Sequence, residues 1–223
     1  MELYLIRHGQ STNNARWETL DGRSTVPVSD PTLTEKGVRQ AELLAEFLAF
    51  PKENEEDFWR DPQNRHGFGL THVYCSLMKR AIHTGSIVSR RLGLPLRGLP
   101  DAHEVGGIFR ELVVDDLVET SWEYGINREF LATHYPDLIL AKPIDDKGWW
   151  RGGKEDSSLP LLRAQEVLNW IKERHMGSDD RLAIVTHGGF SNYLMRAMLQ
   201  ISPEEPDNRK LGYRLIYNNC AIS

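Results

Sequence analysis

Three basic groups stand at three short apolar-to-polar transitions of the chain. The run Leu3-Tyr4-Leu5-Ile6 stops at Arg7, His8 and Gly9. The stretch 71–75, THVYC, is followed by Ser76 and, four residues on, Arg80. The run 182–186, LAIVT, ends at His187, Gly188 and Gly189. Guanidinium groups offer planar forks of donors that match phosphate oxygens, and a neutral imidazole is a nucleophile or a general base. Two of each, brought together, would make a small site for a dianion with imidazoles at its centre.

Bringing them together is the work of strands and helices. Each apolar run is rich in strand-forming side chains, and each is followed by residues suited to starting a helix. Ser11 to Asn14 follow the first run, Ser76 reads as an N-cap after the second, and Phe190, Leu194, Ala197 and Met198 carry a helical face after the third. Strands alternating with helices predict a mostly parallel sheet, whose strand carboxyl ends all point one way and hold ligands there. Helix starts at the same edge add N–H groups and a positive dipole end, so Arg7, Arg80, His187 and Gly188 are expected to converge on one phosphate.

The remaining chain supports this frame. Thr34 is placed to cap a helix from Glu35, with Val38, Ala41, Leu44, Ala45 and Leu48 at helical spacing. Ala81, Gly85, Val88 and Leu92 mark a second helix that Gly93 ends, and Leu161, Ala164, Leu168 and Ile171 a third. Residues 213–218, YRLIYN, read as a final strand near a sheet edge. The stretches 15–33 and 51–70 read as loops, and 96–158 is the least regular part of the chain.

With 223 residues, 40% hydrophobic and 26% charged, the chain has the composition of a globular protein with a sizeable core. A net charge of −5 gives no general attraction to nucleic acid or an anionic membrane, so any anion site must be local. Cys75 and Cys220 lack metal-ligand spacing and read as reduced, buried thiols. Strand residues begin at Leu3 and no stretch is long enough to span a bilayer, which predicts a soluble cytoplasmic protein. The eight histidines show no H-x-x-x-H or H-E-x-x-H pattern, so no metal site is expected, and His66, His134 and His175 read as solvated.

RHGQS at 7–11, PTLTEKGVRQA at 31–41, SLMKRAIHT at 76–84 and THGG at 186–189, in that order, resemble the histidine phosphatase superfamily, also called the phosphoglycerate mutase-like family. The resemblance implies a three-layer α/β/α domain over 1–223 with a mostly parallel sheet and an inserted cap at about 105–157. It also implies a phosphohistidine mechanism without metal or cofactor: His8 as nucleophile, with Arg7, Arg80, His187 and Asn14 on the phosphate oxygens. The family's proton donor stands on the segment after the Arg80 helix. Glu104 fits that place best, with Asp101 and Glu111 as rivals, and His103 either tunes Glu104 or is exposed. Trp149, Trp150 and Arg151 either line a substrate pocket or simply pack.

The expected partner is a small phosphorylated substrate, with no nucleic acid and no membrane; the oligomeric state is open. Hydrolysis of a phosphate monoester is favoured over a phosphoglycerate mutase. Mutases of this family carry a further basic stretch after the catalytic Glu, whereas here Arg110 stands amid four acidic residues from 111 to 119. A non-catalytic phosphate-ligand-binding protein on the same fold is the alternative of another class.

Overall fold

The computed structural model describes residues 1–16, 27–50, 64, 67–114, 117–153, 155–156, 158–200 and 216–223. Most of the 51–70 loop, part of the 15–33 loop and residues 213–215 of the expected last strand lie outside them.

The main sheet has five parallel strands. β1 (Glu2–Arg7) pairs with β7 (Arg181–Thr186), β7 with β2 (His72–Cys75), β2 with β3 (Leu96–Gly98), and β3 with β6 (Ile139–Leu140). Alternation along the strands sorts their side chains to two faces. Ile6, Val73, Cys75, Ala183 and Val185 pack on one face with Leu44 and Leu48 of α2 (Glu35–Leu48) and Ala81, Ile82 and Val88 of α3 (Lys79–Leu92). Leu5, Tyr74, Leu182 and Ile184 pack on the other with Leu161, Ala164, Val167 and Ile171 of α5 (Leu159–His175) and Phe190 and Leu194 of α6 (Gly188–Met198). The result is the expected three-layer α/β/α domain. β7 is central and buried along its whole length, which explains a run without alternation.

The segment 105–157 holds two kinds of structure. β4 (Phe109–Val114) and β5 (Leu117–Trp122) form an antiparallel hairpin that is a sheet of its own. α4 (Arg128–His134) and β6 then return to the main sheet as its edge.

Two local readings are corrected. Ser76 is not an N-cap: the chain makes a bend first, α3 starts at Lys79, and Met78 holds the cap position without a side-chain bond. The C-terminal partner of β1 is not 216–218, which are not strand. Ile222 bridges Ile6 antiparallel, and Leu5 and Ser223 exchange backbone bonds at 2.8 and 3.0 Å. Ile216, apolar by sequence, is 87% exposed. Edge pairing is decided by backbone groups, which apolar patterning does not report.

Candidate active site

Arg7 and His8 leave the end of β1, Ser76 the end of β2 and His187 the end of β7, and these strands are neighbours. The two imidazoles therefore meet, with ring centroids 5.1 Å apart and both rings buried. His8 Nδ1 lies 2.7 Å from the Gly9 carbonyl, an acceptor only, so Nδ1 carries the proton. Its Nε2 accepts a bond from Arg80 Nε at 3.1 Å. Burial, then the charges of Arg80 and Arg7, push the His8 pKa well below its ordinary 6.5, so the ring is neutral with its lone pair at Nε2.

The turn that carries His8 is held by backbone packing. A Cβ on Gly9 would lie 2.4 Å from the Gly37 carbonyl oxygen, and one on Gly37 would lie 2.1 Å from that of Gln10. Only two glycines allow the β1 turn and the start of α2 to approach so closely. Thr34 caps α2 by accepting from Gly37 N at 3.0 Å, as its position in the sequence predicts.

Ser76 Oγ accepts from Met78 N at 3.2 Å and lies 2.9 Å from His187 Nε2. Ser76 Oγ keeps a proton that it can donate to Nε2, and in that arrangement the His187 proton lies on Nδ1. Among the described residues, that buried Nδ1 has no partner, as a donor kept for a ligand oxygen would have none. Burial first, then Arg80 and His8, hold the His187 pKa well below 6.5. Arg80 points at His8, Ala81 is fully buried, and Thr84 Oγ1 accepts from Gly9 N at 3.1 Å while donating to the Arg80 carbonyl at 2.8 Å.

Glu104 follows a 3₁₀ turn at Pro100–Ala102 and sits against the start of α6. Its Oε1 accepts from Val105 N and Phe190 N, both at 2.9 Å, and its Oε2 from Gly189 N at 3.2 Å. The amides at this helix start, expected to face phosphate, thus hold the Glu104 side chain. Gly188 lies against Arg7. The Arg7 guanidinium donates to the Tyr217 carbonyl from the C-terminal segment. Asn14, on the short helix α1 (Thr12–Arg16), accepts at Oδ1 from Ser11 N at 3.1 Å, Ser11 Oγ at 3.0 Å and Asn219 Nδ2 at 3.3 Å, which leaves its Nδ2 as the donor.

The rival carboxylates stand differently. Asp101 is ion-paired with Lys142, and the side chain of Glu111 lies outside what the structure describes. His103 is buried, not exposed: its Nδ1 meets the Glu104 carbonyl at 2.8 Å and its ring packs on Trp149 and Trp150. Burial pushes its pKa down to about 3. Trp149 belongs to the core and Trp150 fills the space over Gly107, while Arg151 pairs with Asp145. Of the histidines read as solvated, His134 is exposed, His175 is buried, and His66 lies outside the described residues.

Sequence reasoning missed three supporting groups. Asp30 is buried, accepts from Lys79 N at 3.1 Å and lies 3.8 Å from the Arg80 guanidinium; burial raises its pKa to about 6, against the pull of Arg80. Arg163 donates to the carbonyls of Asp101 and His103 at 2.7 and 2.9 Å, while Glu155 grips Arg163 at 2.7 and 2.9 Å and accepts from Gly106 N at 3.0 Å. Their contacts, at Asp101, His103 and Gly106, bracket Glu104 in the chain. The signal available was the aspartate just before Pro31; nothing local marked Arg163 or Glu155.

The chain belongs to the histidine phosphatase superfamily (branch 1), whose profile matches residues 3–56 and 62–223. Among curated proteins it is 29% identical over 125 residues to "Probable phosphoglycerate mutase GpmB" of Yersinia pestis, covering 55% of this chain. The match spans about half the length of that relative, 47%. Solved structures share the fold. A mycobacterial glucosyl-3-phosphoglycerate phosphatase aligns with TM-score 0.54 at 19% identity, over 99% of this chain and 87% of that one. The α-ribazole phosphatase of Shigella flexneri aligns with TM-score 0.53 at 17% identity, over 100% and 88%. The ecdysone phosphate phosphatase of Bombix mori aligns with TM-score 0.58 at 14% identity, over 99% and 86%.

Proposed function

We propose that this protein hydrolyses a small phosphate monoester through a phosphohistidine formed on His8 Nε2. The observation that carries the reading is the pair of bonds on that ring, Nδ1 to the Gly9 carbonyl and Nε2 from Arg80. They fix the tautomer a nucleophile requires and put a cation at the attacking atom. As Nε2 attacks phosphorus, the Arg80 bond opens and the same guanidinium donates to a phosphoryl oxygen. Arg7, the His187 Nδ1–H and Asn14 Nδ2 serve the other oxygens, so protein groups offset the developing charge.

Glu104 gives its proton to the leaving oxygen. It does so from Oε2, which carries one backbone donor where Oε1 carries two. Water then attacks the phosphohistidine as Glu104 takes a proton back, and phosphate leaves. The β4–β5 hairpin, a sheet of its own among the described residues, belongs to the segment 105–157 that we read as the inserted cap of a single domain.

A mutase is the second reading, favoured by the name of the curated relative. Against it, Arg110 lies 3.7 Å from Glu123 in a half-exposed pair and is not presented as a clamp for a substrate carboxylate. The test is turnover of an aryl phosphate and a panel of phosphorylated metabolites in a strong chelator, with trapping of the labelled enzyme by rapid quench. Label on His8 and release of inorganic phosphate are expected. Label passing between two glycerates without release would establish the mutase, and absence of any labelled enzyme would remove the covalent mechanism.

A further inference from the structure

At the opposite end of the sheet three side chains from distant parts of the chain meet. His72 opens β2, His175 closes α5, and Asp180 directly precedes β7. One donor atom from each lies within 4.8 Å of the other two. His175 Nδ1 is 2.8 Å from Asp180 Oδ2, and His72 Nδ1 is 3.8 Å from Asp180 Oδ1. Ligand atoms about 2.0–2.1 Å from a tetrahedral zinc ion are roughly 3.3 Å apart, between these two values.

The geometry points to a divalent transition-metal site here, with zinc as the fitting ion: two imidazoles and one carboxylate as ligands, and water in the fourth position. Two neutral imidazoles with one carboxylate suit zinc, whereas calcium and magnesium want a cage of oxygens. The environment supports the ligands. His175 Nε2 lies 3.0 Å from the Tyr74 hydroxyl. When Nδ1 binds the metal, the imidazole proton moves from Nδ1 to Nε2 and is donated to Tyr74, the outer bond that orients a ligating histidine. No net proton is lost. The Thr71 hydroxyl, 2.8 Å from His72 Nδ1, turns fully to the Arg181 carbonyl it already meets at 3.2 Å. His72 and Asp180 are each about a quarter exposed, so an ion has a path in and water a place to bind. The metal would pin the end of α5 to the starts of β2 and β7. It stands apart from His8 and His187, which lie at the carboxyl ends of β1 and β7, and the inference does not depend on the proposed hydrolysis.

The test is zinc binding by calorimetry, with cobalt absorption as a second readout, on the full chain, on Asp180→Asn and on His72→Gln. The expected result is one equivalent bound by the natural protein, weakened about a hundredfold or more in each variant. Zinc at about a hundred times its dissociation constant should raise the natural protein's melting temperature by roughly 5 °C or more. Aryl phosphate turnover in chelator should be equal for all three. His72→Gln changes a partly exposed side chain and decides the matter if Asp180→Asn fails to fold. Equal zinc affinity in the natural protein and His72→Gln, as binding at the His8 and His187 imidazoles would give, overturns the inference. So does absence of binding by the natural protein at millimolar zinc.

Discussion

Glu104 and Gly189 share a space that a β-carbon could enter only by displacing the Glu104 carboxyl group. A Cβ on Gly189 would lie 2.4 Å from Glu104 Oε1, while the Gly189 N–H donates to Oε2 at 3.2 Å. The second glycine of the His187-Gly188-Gly189 run thus sets where the carboxylate stands relative to His187.

Gly189→Ala is therefore expected to act like a lesion of Glu104. A displaced general acid costs roughly 10²–10⁴-fold for an alkyl phosphate, whose alkoxide needs a proton, and far less for a nitrophenyl phosphate. Single-turnover phosphorylation of His8 with both substrates checks this, beside Glu104→Gln as reference. Equal small losses with the two substrates would take Glu104 out of proton donation and return Asp101 and Glu111 to consideration.

Thr84→Val keeps shape but removes the acceptor of Gly9 N. An orphaned buried N–H costs about 1–3 kcal/mol, so the urea midpoint should fall by the corresponding amount. Because Gly9 carries the His8 carbonyl contact, activity should fall as well. An unchanged midpoint would mean that Gly9 N finds another partner.

Asp30→Asn keeps an acceptor for Lys79 N but removes the charge beside Arg80. With the Asp30 pKa raised to about 6, its carboxylate loses its charge as pH falls through that value. The expected acid limb of kcat/KM near that pH should be absent in the variant, whose plateau should be lower by on the order of tenfold, the worth of one charge-assisted contact. A variant profile with the limb intact would assign it to another group.

Stability should fall steeply in mild acid. His8 and His187 are held well below the ordinary 6.5, and His103 at about 3, so all three are neutral when folded. Below 6.5 the unfolded chain takes up protons that the native state refuses, which lowers stability by up to about 1.4 kcal/mol per pH unit per imidazole. Asp30 acts in the opposite sense. Its raised pKa lets the native state take a proton first, so its contribution grows as pH falls from about 6 toward 3.8. Among these four groups the loss is three imidazoles' worth down to about 6 and two from there to about 3.8. Urea unfolding at several pH values measures the slope, and a flat profile between neutrality and mild acid would contradict these burial assignments.

Local chemistry along the chain determined more of this protein than its length suggests. Apolar runs ending at Arg7, Ser76 and His187 named three of the five strands of the main sheet, their common edge and the groups on it, while β3 and β6, two or three residues long, carried no such run. Thr34, Gly93 and the spacings from Val38 and Leu161 named α2, α3 and α5, but not α4. Capping, side-chain period and glycine conformation act over a few residues, so a few residues display them. Tertiary structure alone decided what long-range contacts impose. Glu104 and Gly189 are 85 residues apart, and Ser76 and His187 are 111 apart. Asp30 beside Arg80, the Arg163–Glu155 grip, the antiparallel return of Ile222 and the meeting of His72, His175 and Asp180 leave no period or spacing to read. Each is a polar side chain or backbone group whose partner is chosen by which elements become neighbours, and that choice is made only when the two faces of the sheet are covered.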